Sequence, residues 1–237
     1  MRVAMVRVGV DTGAGGIHGP LFRDGSFEYI PIPDGLGVDR RTYGTLLGRR
    51  GDPLAGYFPP RLREKMRHQP AHVDPEFATF TYGDPTPPKA GLRRLERGDM
   101  LVFYCGLQGW DCDAPPALYL MGYFDVLAAG YARDFPGDNL HALCGGNFHV
   151  RHPAVYRQQR EKLVLVKGSP RSRLLHRAVL LSALGRDRNG RPLKVLSPAM
   201  QQIFGGFDGK LSFQRSPTRW VAPAFIPSAV EYMRSLD

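Results

Sequence analysis

Residues 95–126, LERGDMLVFYCGLQGWDCDAPPALYLMGYFDV, decide how the chain is read. Gly98-Asp99 is a turn signal. The six residues from Met100 to Cys105 are almost all apolar, β-branched or aromatic, which suits a strand buried on both faces better than a helix. Residues 117–126 repeat the pattern. Between them, residues 106–116 are too long for a tight hairpin and carry Trp110, Asp111 and Asp113, so this loop presents side chains at the mouth of a sheet or small barrel. The expectation is an α+β fold with a mixed, β-barrel-like core.

Working outward toward the N-terminus, residues 2–10 alternate around Val3, Met5, Val6, Val8 and Val10 and predict an opening strand. The strand runs into DTGAGGIHGP at 11–20, a glycine-rich loop whose backbone N–H groups could face an anion. Asp11, Thr12, Gly16 and His18 are candidate ligand-binding residues there. The loop has neither the G-x-G-x-x-G nor the Walker spacing, and a bulged turn that needs positive φ accounts for its glycines as well. Asp24-Gly25 then predicts a hairpin turn, and Pro31 and Pro33 confine the second strand's end to an edge, which completes an N-terminal strand-hairpin unit.

Residues 34–89 lose regular periodicity among many glycines and prolines. Only residues 60–68 have room for a short helix, which begins with proline and carries Arg61, Arg63, Lys65 and Arg67. His68, His72 and Asp74 are interrupted by Pro70 and lack the helical H-x-x-x-H spacing, so no metal site is expected. The aromatic residues Tyr43, Tyr57, Phe58, Phe77, Phe80 and Tyr82 are too many for a solvated tether and predict a cover packed on the core, hence a single domain over residues 1–237.

On the other side, residues 127–137 predict a helical start that breaks at Pro136-Gly137. In the polar stretch HALCGGNFHVRH at 141–152, Asn147 and His149 share a side if the segment is extended, where they could read a base edge or position a water. Hydrogen-bonded loop residues would look the same. Cys144 with His149 lacks the further groups that a nucleophile pair needs. Residues 161–167, EKLVLVK, predict a buried strand, residues 198–204 a helical turn or two, and residues 227–236 an amphipathic helix with Ala229, Val230, Met233 and Leu236 inward.

The 237 residues are 43% hydrophobic and 23% charged, ordinary for a globular chain, with no apolar run long enough to span a membrane and no signal-type segment. A cytoplasmic protein without membrane contact is expected. Three cysteines without CxxC spacing indicate neither a disulfide framework nor structural zinc. The net charge of +10 points to a polyanion, and the densest basic span supplies Lys167, Arg171, Arg173 and Arg177 as candidate nucleic-acid contacts. A genome-driven excess of arginine would give the same composition. No cofactor is indicated by any motif.

The run RVGVDTGAGGIHGPLFRDGSFEYIPIP at 7–33, with Thr42-Tyr43-Gly44 and the central GDMLVFYCGL and YLMGYFDV, resembles the nucleotide-modification-associated domain family of the third type. That resemblance covers most of the chain. It implies association with DNA-base modification and with phage or mobile-element systems, DNA as partner before RNA, and partner proteins of such a system. Separately, Gly98, Asp99, Phe103, Tyr104, Gly122 and Val126 fill positions similar to those of the pseudouridine-synthase-associated barrels, including EVE-type and ASCH-type domains. This implies a pocket for a modified base. The chain departs from that pattern in its 106–116 loop and its N-terminal unit.

Three functions follow as expectations. The first is a binding module in which Trp110 or Tyr104 stacks on a base, Asn147 reads its edge and the basic span holds phosphates. The alternative is a transferase or hydrolase acting on a nucleotide or modified base, with Asp11 or Asp111 as base and His18 or His149 as acid. A structural subunit of a modification complex is a third. Either of the first two expects the 13–16 loop, the 106–116 loop and the Asn147/His149 segment to converge on one pocket. The single-domain reading is checked by limited proteolysis: no pair of stable folded halves should arise from cleavage within residues 34–89.

Overall fold

The computed structural model of the chain describes residues 1–12, 17–213 and 217–236. Among the described residues twelve strands occur, in the order β1 (Val3–Arg7), β2 (Gly19–Leu21), β3 (Ile32–Pro33), β4 (Ala71–His72), β5 (Thr81–Asp84), β6 (Met100–Gly109), β7 (Ala117–Tyr131), β8 (Val164–Gly168), β9 (Arg173–Leu180), β10 (Ser182–Arg186), β11 (Pro192–Leu196) and β12 (Arg219–Trp220). Helices α1 (Pro60–Arg67), α2 (Gly137–Cys144), α3 (Phe148–Arg151), α4 (Pro153–Gln159), α5 (Pro198–Phe204) and α6 (Ile226–Ser235) lie between and after them.

The main sheet is mixed, in the order β12-β1-β6-β7-β8-β5, with β2 also on β6 and β9 also on β7. Strands β6 and β7 are its centre because their residues are apolar on both faces, the pattern of a strand covered on each side. They run antiparallel from Met100 opposite Asp125 to Leu107 opposite Ala117, with a bulge between Phe103 and Tyr104. Strand β1 lies parallel to β6, from Val3 beside Met100 to Arg7 beside Tyr104. Besides β6, the 15-residue β7 serves two further partners, β9 along its first half and β8 along its second.

One core cluster lies on this sheet. Phe103 and Phe124 meet edge to face at 4.6 Å, Phe77 touches both at 5.6 and 5.3 Å, and α6 adds Ala229, Val230 and Met233. A second cluster joins Val10, Phe22 and Ile30 of the N-terminal unit to Tyr43, Leu54, Tyr57, Phe58 and Met66. The aromatic residues of 34–89 thus divide: Phe77, Phe80 and Tyr82 pack on the main core, while Tyr43, Tyr57 and Phe58 build the second one.

The central strands, the turn at Asp24-Gly25, α1, α5, α6 and β8 form where the sequence puts them, except that β6 continues through Gly109 by pairing with β2 and β7, so the loop expected from residue 106 starts at Trp110. Three expectations need correction. Among the described residues the strand order is open at β12 and β5, so the barrel-like core is not a closed barrel. Residues 127–131 are strand, because Ala128 to Tyr131 pair with Lys167 to Val164 of β8 and that pairing overrides the helix preference of Leu-Ala-Ala. Residues 141–152 are not extended: α2 and α3 meet there, and Asn147 is the N-cap of α3, its side chain accepting the His149 N–H. Among the described residues no helix is long and apolar enough to cross a membrane.

Gly122 marks the point where β7 leaves its neighbours no room. A Cβ there would stand 2.5 Å from the Arg173 carbonyl oxygen and 2.9 Å from the Phe77 ring. Gly122→Ala should cost ~1 to 3 kcal/mol by overpacking, read as a lower urea midpoint with an unchanged slope.

Candidate functional site

Strand β6 ends at Gly109, whose N–H bonds to the Ala114 carbonyl; the next N–H, that of Trp110, bonds to the Leu21 carbonyl. A Cβ on Gly109 would lie 2.1 Å from the Cys112 carbonyl oxygen, so glycine is what lets the loop close this tightly. The Arg23 N–H on the neighbouring turn donates to Asp111 at 2.7 Å and pins the loop from its other side. The indole of Trp110 is left 48% exposed.

Behind the indole runs a row of rings. Trp110 stands 5.3 Å from Tyr57, Tyr57 lies 6.0 Å from Phe22, and the Arg50 guanidinium sits 3.5 Å over Phe22. The first two contacts are edge to face, the arrangement that aromatic quadrupoles favour. Tyr57 and Trp110 border two clefts. One, of about 470 Å³, is lined by Ile17, His18, Arg61 and Gln108; the other, of about 330 Å³, by Asp52, Arg63 and Arg67. Both draw arginines from α1, which starts with Pro60 at its first turn and buries only Met66, leaving its basic side chains on the cleft side and in solvent.

His18 accepts a hydrogen bond at Nε2 from Lys194 of β11 at 2.9 Å, and burial pulls the Lys194 ammonium below its usual range. Gly106 makes room for this corner: a Cβ there would stand 2.2 Å from the Asp11 carboxylate and 2.9 Å from the His18 ring. Asp11, in the turn Val10–Thr12, is ion-paired with Arg7 at 2.5 Å, both side chains at least nine-tenths buried, so its carboxylate is held structurally against Gly106 of β6.

A third cleft, of about 230 Å³, takes Arg7, Thr12, His72, Asp74 and Lys89 into its wall. Asp74 Oδ2 accepts the Gly83 N–H at 2.9 Å, and Oδ1 faces the Asn147 amide nitrogen at 3.4 Å. Burial pushes the Asp74 carboxyl up to about 6. His149 lies behind it, Nε2 at 3.4 Å from Asp74 Oδ2 and Nδ1 at 2.6 Å from Gln159 Oε1. Burial lowers the pKa of His149, but the charge of the nearby Asp74 carboxylate and the Gln159 contact outweigh this and leave it raised. His72, stacked 3.9 Å from the Phe148 ring, is pulled down to about 3 by burial and by the neighbouring His149.

The sequence-derived candidates fall into distinct places. Trp110, Asp111 and His18 stand at the first cleft and its loop, and Thr12 at the third. Gly16 lies outside the described residues. Tyr104 cannot stack on a base: at 0% exposure it sits inside β6 against Phe213, where an apolar strand pattern places it. Asn147, also at 0%, reads no base edge, since its side chain caps α3 and meets Asp74. His149 is enclosed at 3%. Of the three segments expected to converge, the 13–16 loop lies outside the described residues, and the other two do not share a pocket: Trp110 of 106–116 borders the first cleft with His18, whereas Asn147 and His149 sit behind Asp74 of the third.

Lys167 drops out of the basic patch because its ammonium is turned inward onto the Thr79 carbonyl. Arg171, Arg173 and Arg177 are exposed, Arg171 within 3.4 Å of Asp125 and Arg177 against the Asp24-Gly25 turn. Sequence reasoning passed over Arg61, Arg63 and Arg67 as contacts; their signal was four basic residues in one short helix, but nothing in the spacing tied that helix to Trp110.

A family model described as nucleotide modification associated domain 3 matches residues 2–235. No curated protein and no solved structure matches the chain.

Lys89 in the third cleft yields a pH prediction. Burial pulls its ammonium down to about 8, below the ordinary 10.5, so the folded state holds the charge at a cost at every pH below about 8. That cost fades as pH rises from about 8 to about 10.5, where the unfolded chain binds the proton and the folded chain does not. Lys89→Met should therefore raise the Tm most near neutrality, and its lead over wild type should shrink across that window in a pH series of melts.

Proposed function

The chain belongs to the nucleotide modification associated domain 3 family, and on that premise we propose that it binds a nucleotide, or a modified or unstacked base of nucleic acid, DNA before RNA, at Trp110. The observation that carries the proposal is the half-exposed indole at the end of the Phe22-Tyr57-Trp110 row, between two clefts edged by Arg61, Arg63 and Arg67. A base stacked on Trp110 continues the row, and the arginines of α1 stand where its phosphates would lie. Arg171, Arg173 and Arg177 offer a second exposed basic track for a longer strand. The net charge of +10 supports a polyanionic partner.

A second reading, a transferase or hydrolase acting on a nucleotide or modified base, is supported by the third cleft, where Asp74, His72 and His149 gather titratable groups that no stacking site needs. Partner proteins of a modification system fit the family's description and either reading.

The test is a titration of the full chain with nucleotides and with single-stranded oligonucleotides carrying ordinary or modified bases, followed by indole fluorescence at stepped salt. Trp110→Ala should weaken binding by ~1 to 3 kcal/mol per stacked base with a nearly unchanged Tm. Replacing Arg61, Arg63 and Arg67 together by Gln should weaken every sequence alike and flatten the log K against log salt slope by about 2 to 3. Affinity unchanged in both variants would remove the cleft from the binding site.

A further inference from the structure

We propose that His72, Asp74 and His149 bind one divalent first-row transition-metal ion of the zinc type. The three side chains come from β4, the segment after it and α3, and their ligand atoms lie within 4.8 Å of one another. Asp74 Oδ2 is the shared focus, 3.4 Å from His149 Nε2 and 4.0 Å from His72 Nε2. Donors of a tetrahedral zinc centre with bonds of about 2.0 to 2.1 Å stand about 3.4 Å apart. The His149 pair has that spacing, and the remaining donor distances, up to 4.8 Å, would shorten on binding.

The hydrogen-bond inventory says what lies between them. His149 Nδ1 faces the Gln159 oxygen, which only accepts, so the ring proton belongs on Nδ1 and the Nε2 lone pair is aimed at the carboxylate. His149 Nε2 and His72 Nε2 are both buried without a hydrogen-bond partner. The Asp74 oxygen and the His149 Nε2 lone pair are acceptors that face each other and need a cation between them. A single proton can serve the Asp74–His149 pair, but it leaves His72 Nε2 orphaned in the same enclosure. One metal ion satisfies all three.

The surroundings have the form of a metal site's outer support. Gln159 fixes the tautomer and plane of His149, Gly83 N–H and the Asn147 amide hold the two Asp74 oxygens, and the Phe148 ring fixes His72. Asn147 also caps α3 and so sets the backbone at His149. Gly83 is what allows the approach: a Cβ there would stand 2.8 Å from both Asn147 Oδ1 and His149 Cδ2. Two imidazoles and one carboxylate suit Zn²⁺, Co²⁺, Fe²⁺ or Mn²⁺, and disfavour Mg²⁺ and Ca²⁺, which take oxygen donors. Three protein ligands leave a coordination position for solvent or substrate, the pattern of catalytic rather than structural zinc. His72 and Asp74 line the third cleft, which gives that position its outlet beside Thr12 and Lys89.

The experiment uses the full chain stripped with a chelator and titrated with Co²⁺, followed by visible absorption and by metal analysis after gel filtration, with Zn²⁺ as competitor. The expected result is one equivalent of Co²⁺ bound, displaced by Zn²⁺, and a Tm raised by either ion. His72→Ala and His149→Ala should each abolish the visible bands, whereas the exposed His68→Ala leaves them intact. Gln159→Leu, which removes no ligand, should weaken affinity by about 10- to 100-fold. Should the alanine variants not fold, ¹⁵N shifts of the histidine rings in wild type decide: Zn²⁺ must move the Nε2 resonances of His72 and His149. No stoichiometric binding, binding that survives both alanine variants, or ring shifts confined to other histidines overturns the proposal. None of these outcomes depends on nucleotide binding at Trp110.

Discussion

A carboxylate taken out of water needs donors, and in this chain many of those donors are backbone amides of segments with no regular structure of their own. Asp34 accepts the N–H groups of Leu36, Val38 and Asp39, and Glu28 those of Arg49 and Arg50. Asp74 takes Gly83, and Asp99 takes Arg2 and Glu96. All four acids are buried. Each charge-assisted bond is stronger than a neutral one, and in a low-dielectric setting losing it leaves an ion without solvation. The irregular span 34–89 therefore has fixed anchor points in place of a helix or sheet ladder, which is how so many prolines and glycines hold one shape.

The same use of acids shapes the outside. Asp11, Asp39 and Asp125 are also turned inward, Asp39 toward Arg41 and Arg151 and Asp125 toward Arg171 and Arg234. With much of the negative charge buried, the surface that a polyanion meets is more cationic than composition alone indicates. The α1 arginines beside Trp110 belong to that surface, and the third cleft is its counterpoint, with buried groups of both signs.

Much of the fold was legible from residues 95–126, because an apolar strand pattern is a local property and β6 and β7 obey it. The helices at 60–67, 198–204 and 226–235 were legible for the same reason: each opens with Pro at its first turn, and the last shows core spacing. What failed had non-local causes. Ala128 to Tyr131 look helical in isolation and become strand only through β8. Asn147 and His149 were rightly singled out as a polar constellation, yet their task turned on a cap, on Asp74 and on Gln159, which lie 73 and 10 residues from their partners in sequence. His68, His72 and Asp74 were set aside as ligands because Pro70 breaks any helical spacing among them, and nothing in that stretch points to His149, which only the fold brings beside Asp74. Trp110 was read as a loop residue because it lies between two apolar strand runs, and it does follow the last residue of β6.

The parallel pairing of β1 with β6 carries a consequence for how the chain is made. A polypeptide leaves the ribosome from its N-terminus, so Val3–Arg7 emerges well before Met100, the first residue of its neighbour. Until then the segment is an apolar, unpaired strand, the kind of edge that pairs with other chains. Arg2 before the segment and Arg7 at its end act as gatekeepers over that interval, and Arg2 meets its partner Asp99 only once the start of β6 has been made.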